Sequence, residues 1–140
     1  MQSENDLQKT IVEALHYLLP DNSLLHHSPN EGRRHVSYMV KLKKLGMKSG
    51  WPDLQILVDK KYWHKSAEAS GIYIELKTSK GRLTDNQNKI LKKLENLGQY
   101  SIMCRSLDEV ITYLQKKIKL KGDKNETNTK SINTRTLKRT

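Results

Sequence analysis

Apolar residues recur at helical spacing in three segments of the chain, which predicts three amphipathic helices. The first helix is predicted within SENDLQKTIVEALHYLL and ends at Pro20; the second begins at Thr84 and ends at Gly98, and the third begins at Ser106. The three N-termini carry capping-box pairs: Ser3 with Asp6, Thr84 with Gln87, and Ser106 with Glu109. The apolar positions expected to face the core are Leu7, Ile11, Ala14, Leu15 and Leu18, then Ile90, Leu91, Leu94 and Leu97, then Leu107, Val110, Ile111, Leu114 and Ile118.

Short apolar or alternating runs predict the strands: a piece around Leu24 and Leu25, then DLQILV, GIYIELKT and QYSIMC. The polar connection between DLQILV and GIYIELKT is long enough for a hairpin with a flexible tip, so we expect these two strands to be antiparallel neighbours. Residues 33–48 contain six Lys or Arg and no acid, and predict a basic helix or helix-like loop closed by Gly46. The pattern therefore predicts an α/β fold with a mixed sheet flanked by helices.

The composition changes near the C-terminus. Residues 119–140 contain seven Lys or Arg, two acids and almost no large apolar side chain, so they cannot bury enough surface to fold by themselves. We expect one small domain over residues 1–118 and a basic, disordered tail over residues 119–140.

A formal net charge of +11 indicates a polyanionic partner, with nucleic acid favoured over an anionic membrane. There is no apolar run near the roughly 18 residues of a membrane span and no signal-peptide core, so we expect a soluble, intracellular (cytoplasmic) protein with no membrane partner. Cys104 is the only cysteine, which excludes an internal disulfide and favours a buried thiol. The five histidines lack paired metal-binding spacing, which argues against a zinc site.

Two charged residues interrupt the strand GIYIELKT. Strand alternation directs one set of side chains to each face: Ile72, Ile74 and Leu76 to one, and Tyr73, Glu75 and Lys77 to the other. A carboxylate and an ammonium on a central strand are costly to desolvate unless each has a partner or a ligand. A simple Glu–Lys pair on an exposed sheet face is the alternative.

The segment GWPD places a further carboxylate at the start of the preceding strand. Gly50 permits a sharp turn and Pro52 restricts the backbone, which sets the position of Asp53. If the two strands pair, Asp53 and Glu75 can lie side by side and would repel each other unless a divalent cation sat between them. Oxygen ligands suit Mg²⁺ or Mn²⁺, and Lys77 would then orient a water or offset charge on a phosphate. A turn-forming aspartate is the alternative interpretation of Asp53.

The ordered set of Pro-Asp and Glu-x-Lys resembles the PD-(D/E)xK nuclease superfamily. The fuller pattern, GMKSGWPDL followed by GIYIELKTSKGRLTDNQ, resembles its VRR-NUC (virus-type replication-repair nuclease) branch over about residues 3–115. The resemblance also rests on a glutamate in the first helix, on HSPNEGRR, and on a glutamine after the Glu-x-Lys strand. It implies a restriction-endonuclease-like sheet with an α-β-β-β-α-β core, and a viral or bacterial context.

The resemblance assigns roles by position. Asp53 and Glu75 would bind Mg²⁺ or Mn²⁺ with the Leu76 carbonyl as a further ligand, and Lys77 would contact the attacking water or the scissile phosphate. Glu4 would add a carboxylate to the metal site, although an acid in the first helical turn also favours the helix dipole without any site. Gln87 would join the catalytic residues, although its capping role alone also explains it.

A DNA substrate follows from the charge and from the resemblance together. The residues expected to contact phosphates without reading bases are Arg33, Arg34, Lys41, Lys43, Lys44 and Lys48. Family members that consist of this domain alone resemble Holliday junction resolvases, which implies a homodimer that cuts four-way or other branched DNA in DNA repair. Nicked, flapped or linear duplex substrates are alternatives, and so is a non-catalytic DNA-binding module.

Overall fold

A computed structural model describes residues 2–28 and 36–123 of the chain. The helices are α1 (Glu4–Leu18), α2 (Val36–Lys44), α3 (Asp85–Asn96) and α4 (Leu107–Gln115). The strands are β1 (Leu24–His27), β2 (Leu54–Leu57), β3 (Ile72–Leu76) and β4 (Tyr100–Cys104), and a short 3₁₀ turn spans Lys60–Tyr62. Within the described residues, the elements follow the order that the sequence predicts.

The four strands form one mixed sheet in the order β1-β2-β3-β4. Strands β2 and β3 are antiparallel, with Gln55 opposite Tyr73, which confirms the predicted pairing. Strand β4 lies parallel to β3, with Ser101 opposite Tyr73. Helix α3 makes the crossover that a parallel pair requires. The α/β class with a mixed sheet and flanking helices is therefore confirmed.

The two faces of the sheet are covered by different helices. The core on one face joins α1, α4 and the inward residues of β2 and β3: Leu7, Ile11, Leu15, Leu54, Ile56, Ile72, Ile74, Leu76, Val110 and Leu114. On the other face, the Ser101 hydroxyl donates to the Leu91 carbonyl at 2.7 Å, which ties α3 to β4. Because Ser101 lies opposite Tyr73, α3 covers the face that also carries Glu75.

Two of the three predicted capping boxes are complete. In α1 and α3, the Ser3 and Thr84 hydroxyls accept from the backbone three residues on, and the side chains there bond back to the cap backbone. At α4, the Ser106 hydroxyl accepts as predicted, but Glu109 Oε1 accepts from the Arg105 N–H at 2.7 Å. The reciprocal half of that box is therefore shifted by one residue.

Two details of the predicted packing need correction. Leu97, expected on the buried face of α3, caps the end of this helix and is 67% exposed, because the helix stops at Asn96. Leu120 is buried and the Lys121 N–H donates to the Leu18 carbonyl at 2.8 Å, so packing continues past the predicted boundary at 118. Residues 124–140, most of the predicted tail, lie outside the described residues.

The predicted basic helix is α2, and the chain turns after it at Gly46, where φ is +112°. The basic side chains of this stretch that the structure describes are exposed: Lys41, Lys43, Lys44 and Lys48. Arg33 and Arg34 lie outside the described residues. Across residues 2–28 and 36–123, no helix is both long and apolar enough to cross a membrane.

Candidate active site

The GWPD segment brings the start of β2 against the start of α3. Gly50 has a φ of +83°, and a Cβ built there would lie 2.7 Å from the Asn86 carbonyl carbon and 2.9 Å from the Gln87 nitrogen. Both the backbone conformation and this close approach require glycine. The turn therefore places the N-terminus of α3 beside the start of β2, which brings Gln87 and Asp53 to the same end of the central strands.

Asp53 is fixed by both its backbone and its side chain. Its carbonyl accepts from the Ser28 N–H at 2.9 Å, which ties it to the end of β1. Its Oδ2 accepts from the Leu76 N–H at 2.8 Å, which ties it to the end of β3. The carboxyl group is consequently held beside Glu75, as the strand pairing predicts.

Glu75 is 2% exposed. Its Oε2 accepts from Gln87 Nε2 at 3.0 Å, while Gln87 Oε1 accepts from the Thr84 N–H at 2.9 Å. Gln87 therefore caps α3 and contacts the buried carboxyl group at the same time. No group within the described residues donates to Glu75 Oε1, although this atom is buried. A buried carboxylate oxygen without a donor is costly, and in native proteins it marks a ligand or a proton.

Lys77 lies between two carboxylates. Its Nζ is 3.8 Å from Glu75 Oε2 and 3.8 Å from Glu4 Oε2, and its side chain is 10% exposed. Gly81 packs closely against both side chains, since a Cβ there would be 3.2 Å from Lys77 Cδ and 3.3 Å from Glu4 Oε2. Glu4, with 42% of its side chain exposed, links the first turn of α1 to this cluster.

The two central carboxyl groups hold protons more tightly than free carboxyl groups do. Burial raises the pKa of Glu75 to about 9, and the nearby Asp53 charge adds to this effect while Lys77 opposes it. Burial also raises the pKa of Asp53. Hydrogen bonds with the Leu76 N–H and with the Glu75 carboxyl group, and the charges of Lys77 and His27, oppose this rise. A cation between the two groups would replace the proton and favour the ionised forms.

The donor set fits a small divalent cation with few protein ligands. Asp53 and Glu75 supply oxygens, and no described group donates a hydrogen bond to the buried Glu75 Oε1. Among residues 2–28 and 36–123, no three His, Cys, Asp or Glu side chains converge closely enough to hold a metal ion. Glu4 instead contacts Lys77. Two carboxylates suit Mg²⁺, which commonly keeps several waters and binds through one or two protein carboxylates.

The structure thus brings together Asp53, Glu75, Lys77, Gln87, Glu4 and the backbone of Leu76. The described lysines of the basic stretch contribute no contact within this cluster. Sequence reasoning left two further neighbours unassigned. His27 acts electrostatically on Asp53, and Gly81 packs against Lys77 and Glu4. His27 pairs with Leu54, the residue after Asp53. The β1–β2 register, if known, would have indicated that His27 lies near Asp53.

Comparisons with known proteins identify the family and support the fold. A family model described as the VRR-NUC domain matches residues 2–108. A solved structure described as a "VRR_NUC domain protein" is similar in fold, with a TM-score of 0.60 and 22% identity over 82% of this chain and 87% of that chain. No curated protein matches the chain. Because the family model covers most of the chain, the protein belongs to the VRR-NUC domain family, which implies a nuclease-type function.

Proposed function

We propose that the protein is a Mg²⁺- or Mn²⁺-dependent endonuclease that hydrolyses DNA phosphodiester bonds, with four-way junctions or other branched DNA as its preferred substrates. The observation that carries the proposal is the buried Glu75 beside the half-buried Asp53, with one Glu75 oxygen to which no described group donates and the Lys77 ammonium 3.8 Å from the other oxygen. A buried carboxyl group whose pKa is raised to about 9 is an unfavourable arrangement for a structural site. It favours a site that binds a cation and a phosphate.

Asp53 and Glu75 would hold the metal, with the Leu76 carbonyl as the backbone ligand. When bound, the metal would polarise a phosphoryl oxygen and lower the pKa of a coordinated water. Gln87 would keep Glu75 in place through its 3.0 Å hydrogen bond to Oε2. Such an outer contact fixes the orientation of a ligand and tunes its affinity for the metal.

Lys77 would act on the reacting phosphate. Its side chain is only 10% exposed and its ammonium lies 3.8 Å from Glu75 Oε2, so it would be available to a phosphate oxygen or to the attacking water beside a metal held by Glu75. Charge that develops on the phosphate is stabilised more strongly in such a site than in bulk water. Glu4 would compete with Glu75 for the ammonium, since its Oε2 also lies 3.8 Å from Nζ.

The proposed homodimer rests on stoichiometry, whereas the preference for branched DNA rests on the resemblance to junction-cutting enzymes. The described residues form one such site, which cuts one strand at a time, so symmetrical cleavage of a junction requires two copies of the chain. Lys41, Lys43, Lys44 and Lys48 would supply contacts to phosphates, and Arg33 and Arg34 would extend the same basic stretch. A homodimer would present this stretch twice.

The test uses a synthetic four-way junction and a linear duplex of matched sequence, each with Mg²⁺, Mn²⁺ or EDTA. We expect symmetric, metal-dependent cuts in the junction by the wild-type protein. Glu75→Ala should lower the cleavage rate by at least about a hundredfold, because it removes a metal ligand. Glu13→Ala removes an exposed carboxylate from α1 and should cleave like the wild type.

The possible outcomes separate the competing functions. A linear duplex cut as fast as the junction would refute the preference for branched DNA and leave the nuclease. Tight binding of both DNAs without cleavage in either metal would replace the nuclease with a DNA-binding module. Light scattering of the free protein and of its complex with the junction would test the homodimer directly.

A further inference from the structure

Arg105 lies between the end of β4 and Ser106, the N-cap residue of α4. Its Nη1 donates to two backbone carbonyls, that of Thr78 at 2.6 Å and that of Gly81 at 2.8 Å. These carbonyls belong to the first and last residues of a turn that the Gly81 N–H closes onto the Thr78 carbonyl at 3.1 Å. One guanidinium nitrogen therefore binds both ends of the turn Thr78–Gly81.

This turn directly follows Lys77 and packs against its side chain. The space at the Gly81 Cα is so small that an added Cβ would be 3.2 Å from Lys77 Cδ and 3.3 Å from Glu4 Oε2. The Lys77 N–H donates a hydrogen bond to the carbonyl of Cys104, the residue before Arg105, at 3.0 Å. The backbone of Lys77 is thus held by β4, and its side chain is bordered by the turn that Arg105 holds.

Arg105 is well suited to hold the turn, because its own position is fixed. Its N–H donates to Glu109 Oε1 at 2.7 Å, which anchors it to the first turn of α4. Hydrogen bonds from a charged guanidinium to carbonyls are stronger than those between neutral groups. Without the guanidinium, the Gly81 carbonyl would lose this donor in a half-buried setting and the Thr78 carbonyl would keep only the Gly81 N–H, so the turn would be free to separate from Lys77.

We infer that Arg105 is a positioning residue for the proposed nuclease reaction: it holds the Thr78–Gly81 turn against Lys77 and so keeps the ammonium aligned with the site. This inference rests on the proposed function. The removal of Arg105 should widen the range of Lys77 conformations without removing any group that touches DNA at the reacting phosphate. Misplacement of a reacting group by about 1 Å lowers a rate by up to about a hundredfold.

The test compares Arg105→Ala, Arg105→Lys and the control Lys116→Ala, which removes one exposed positive charge at the opposite end of α4. We expect Arg105→Ala to lower the single-turnover cleavage rate by about ten- to a hundredfold, with the Kd for DNA changed by less than about threefold. Arg105→Lys should retain part of the rate, and added methylguanidinium should restore part of it to Arg105→Ala. Lys116→Ala should cleave at the wild-type rate. All rates are compared at a temperature at which each variant is folded.

Gly81→Ala provides a second variant that leaves the guanidinium intact. The new methyl group would press on Lys77 and Glu4, so the cleavage rate should fall in the same way at unchanged Kd. Equal losses of rate and affinity in Arg105→Ala, or a wild-type rate in that variant, would overturn the inference. So would a failure of both Arg105→Lys and methylguanidinium to recover any activity.

Amide hydrogen exchange separates this inference from the proposed function. In Arg105→Ala, the Gly81 amide should exchange at least about tenfold faster, while amides in the β2–β3 core stay as in the wild type. If the wild-type protein cuts no DNA, the nuclease proposal fails, and this exchange result still decides whether Arg105 holds the turn. Unchanged exchange at Gly81 would overturn the inference whatever the activity.

Discussion

The two ends of β3 differ in how completely their polar groups are paired. Before the strand begins, the Gly71 N–H donates to Gln99 Oε1 at 2.9 Å and the Ser70 hydroxyl donates to the Gly98 carbonyl at 2.8 Å. Where the strand ends, Glu75 is buried with one oxygen that no described group donates to, and two acids face each other. Sequences under selection for stability alone pair such groups, so the unpaired end is where we expect function.

Aromatic packing reinforces the paired end. Trp63 stacks on Tyr100 with 5.6 Å between ring centroids, and its indole N–H donates to the Val58 carbonyl at 3.1 Å. Lys117 Nζ lies 4.3 Å from the centroid of the Tyr100 ring. Each polar atom named here has a partner, and each ring has a neighbour. This end holds the long connection between β2 and β3 against the end of α4, and none of its contacts involves the carboxylates of the site.

The largest effect should come from Lys77→Ala at the unpaired end. The cleavage rate should fall by about a hundred- to a thousandfold, because the ammonium stabilises charge that grows mainly in the transition state. The Kd for DNA should change little. Single-turnover cleavage and equilibrium binding on the same substrate measure the two quantities. A loss of affinity as large as the loss of rate would mean that Lys77 only helps to bind DNA.

The next effect should come from Trp63→Ala at the paired end, and it should have the opposite character. Loss of the stacked indole and its hydrogen bond should lower the free energy of unfolding by about 3 kcal/mol, which urea denaturation would measure. The cleavage rate of the folded fraction should stay at the wild-type value. A fall in that rate comparable with the effect of Lys77→Ala would show that the two ends are coupled.

Much of the site was predictable because its signals are local. The capping box at Thr84 spans four residues and places Gln87 without knowledge of the fold. Strand alternation assigns Glu75 and Lys77 to one face, and the expected hairpin then brings Asp53 beside them. Element order followed from the period-2 and period-3.6 patterns, and the antiparallel β2–β3 pair followed from the hairpin-like connection between the two strands.

The parts that sequence reasoning missed depend on contacts between distant segments. Arg105 binds carbonyls more than twenty residues earlier in the chain, and no pattern around it signals that contact. The turn at Gly50 was expected, but its close approach to the start of α3, which also requires glycine, is revealed only by the packed fold. Leu97 has the right spacing for the core face, but the helix ends one residue before it. Periodicity identifies faces, whereas the ends of elements are set by tertiary contacts.

The smallest effect, and the one that tests the comparison most directly, concerns the stability of the protein without metal. The folded pKa of Glu75, about 9, lies above its ordinary value of 4.5, so between these pH values the folded state binds a proton that the unfolded state lacks. Stability should therefore fall as the pH rises from about 5 towards 9. Glu75→Gln removes the titrating group at this position and should abolish most of that decline. Its Tm at pH 8 should be at least about 5 °C above that of the wild type. At pH 5 the two proteins should melt within about 2 °C of each other, because Glu75 is then protonated in the folded state.

Added Mg²⁺ should raise the Tm of the wild type and not that of Glu75→Gln, because only the ionised pair attracts the cation. Glu13→Gln removes an exposed charge and should behave as the wild type in all three measurements. If Glu75→Gln keeps the wild-type dependence of Tm on pH, then ionisation of the buried Glu75 does not destabilise the folded protein. Both ends of β3 would then serve stability alone.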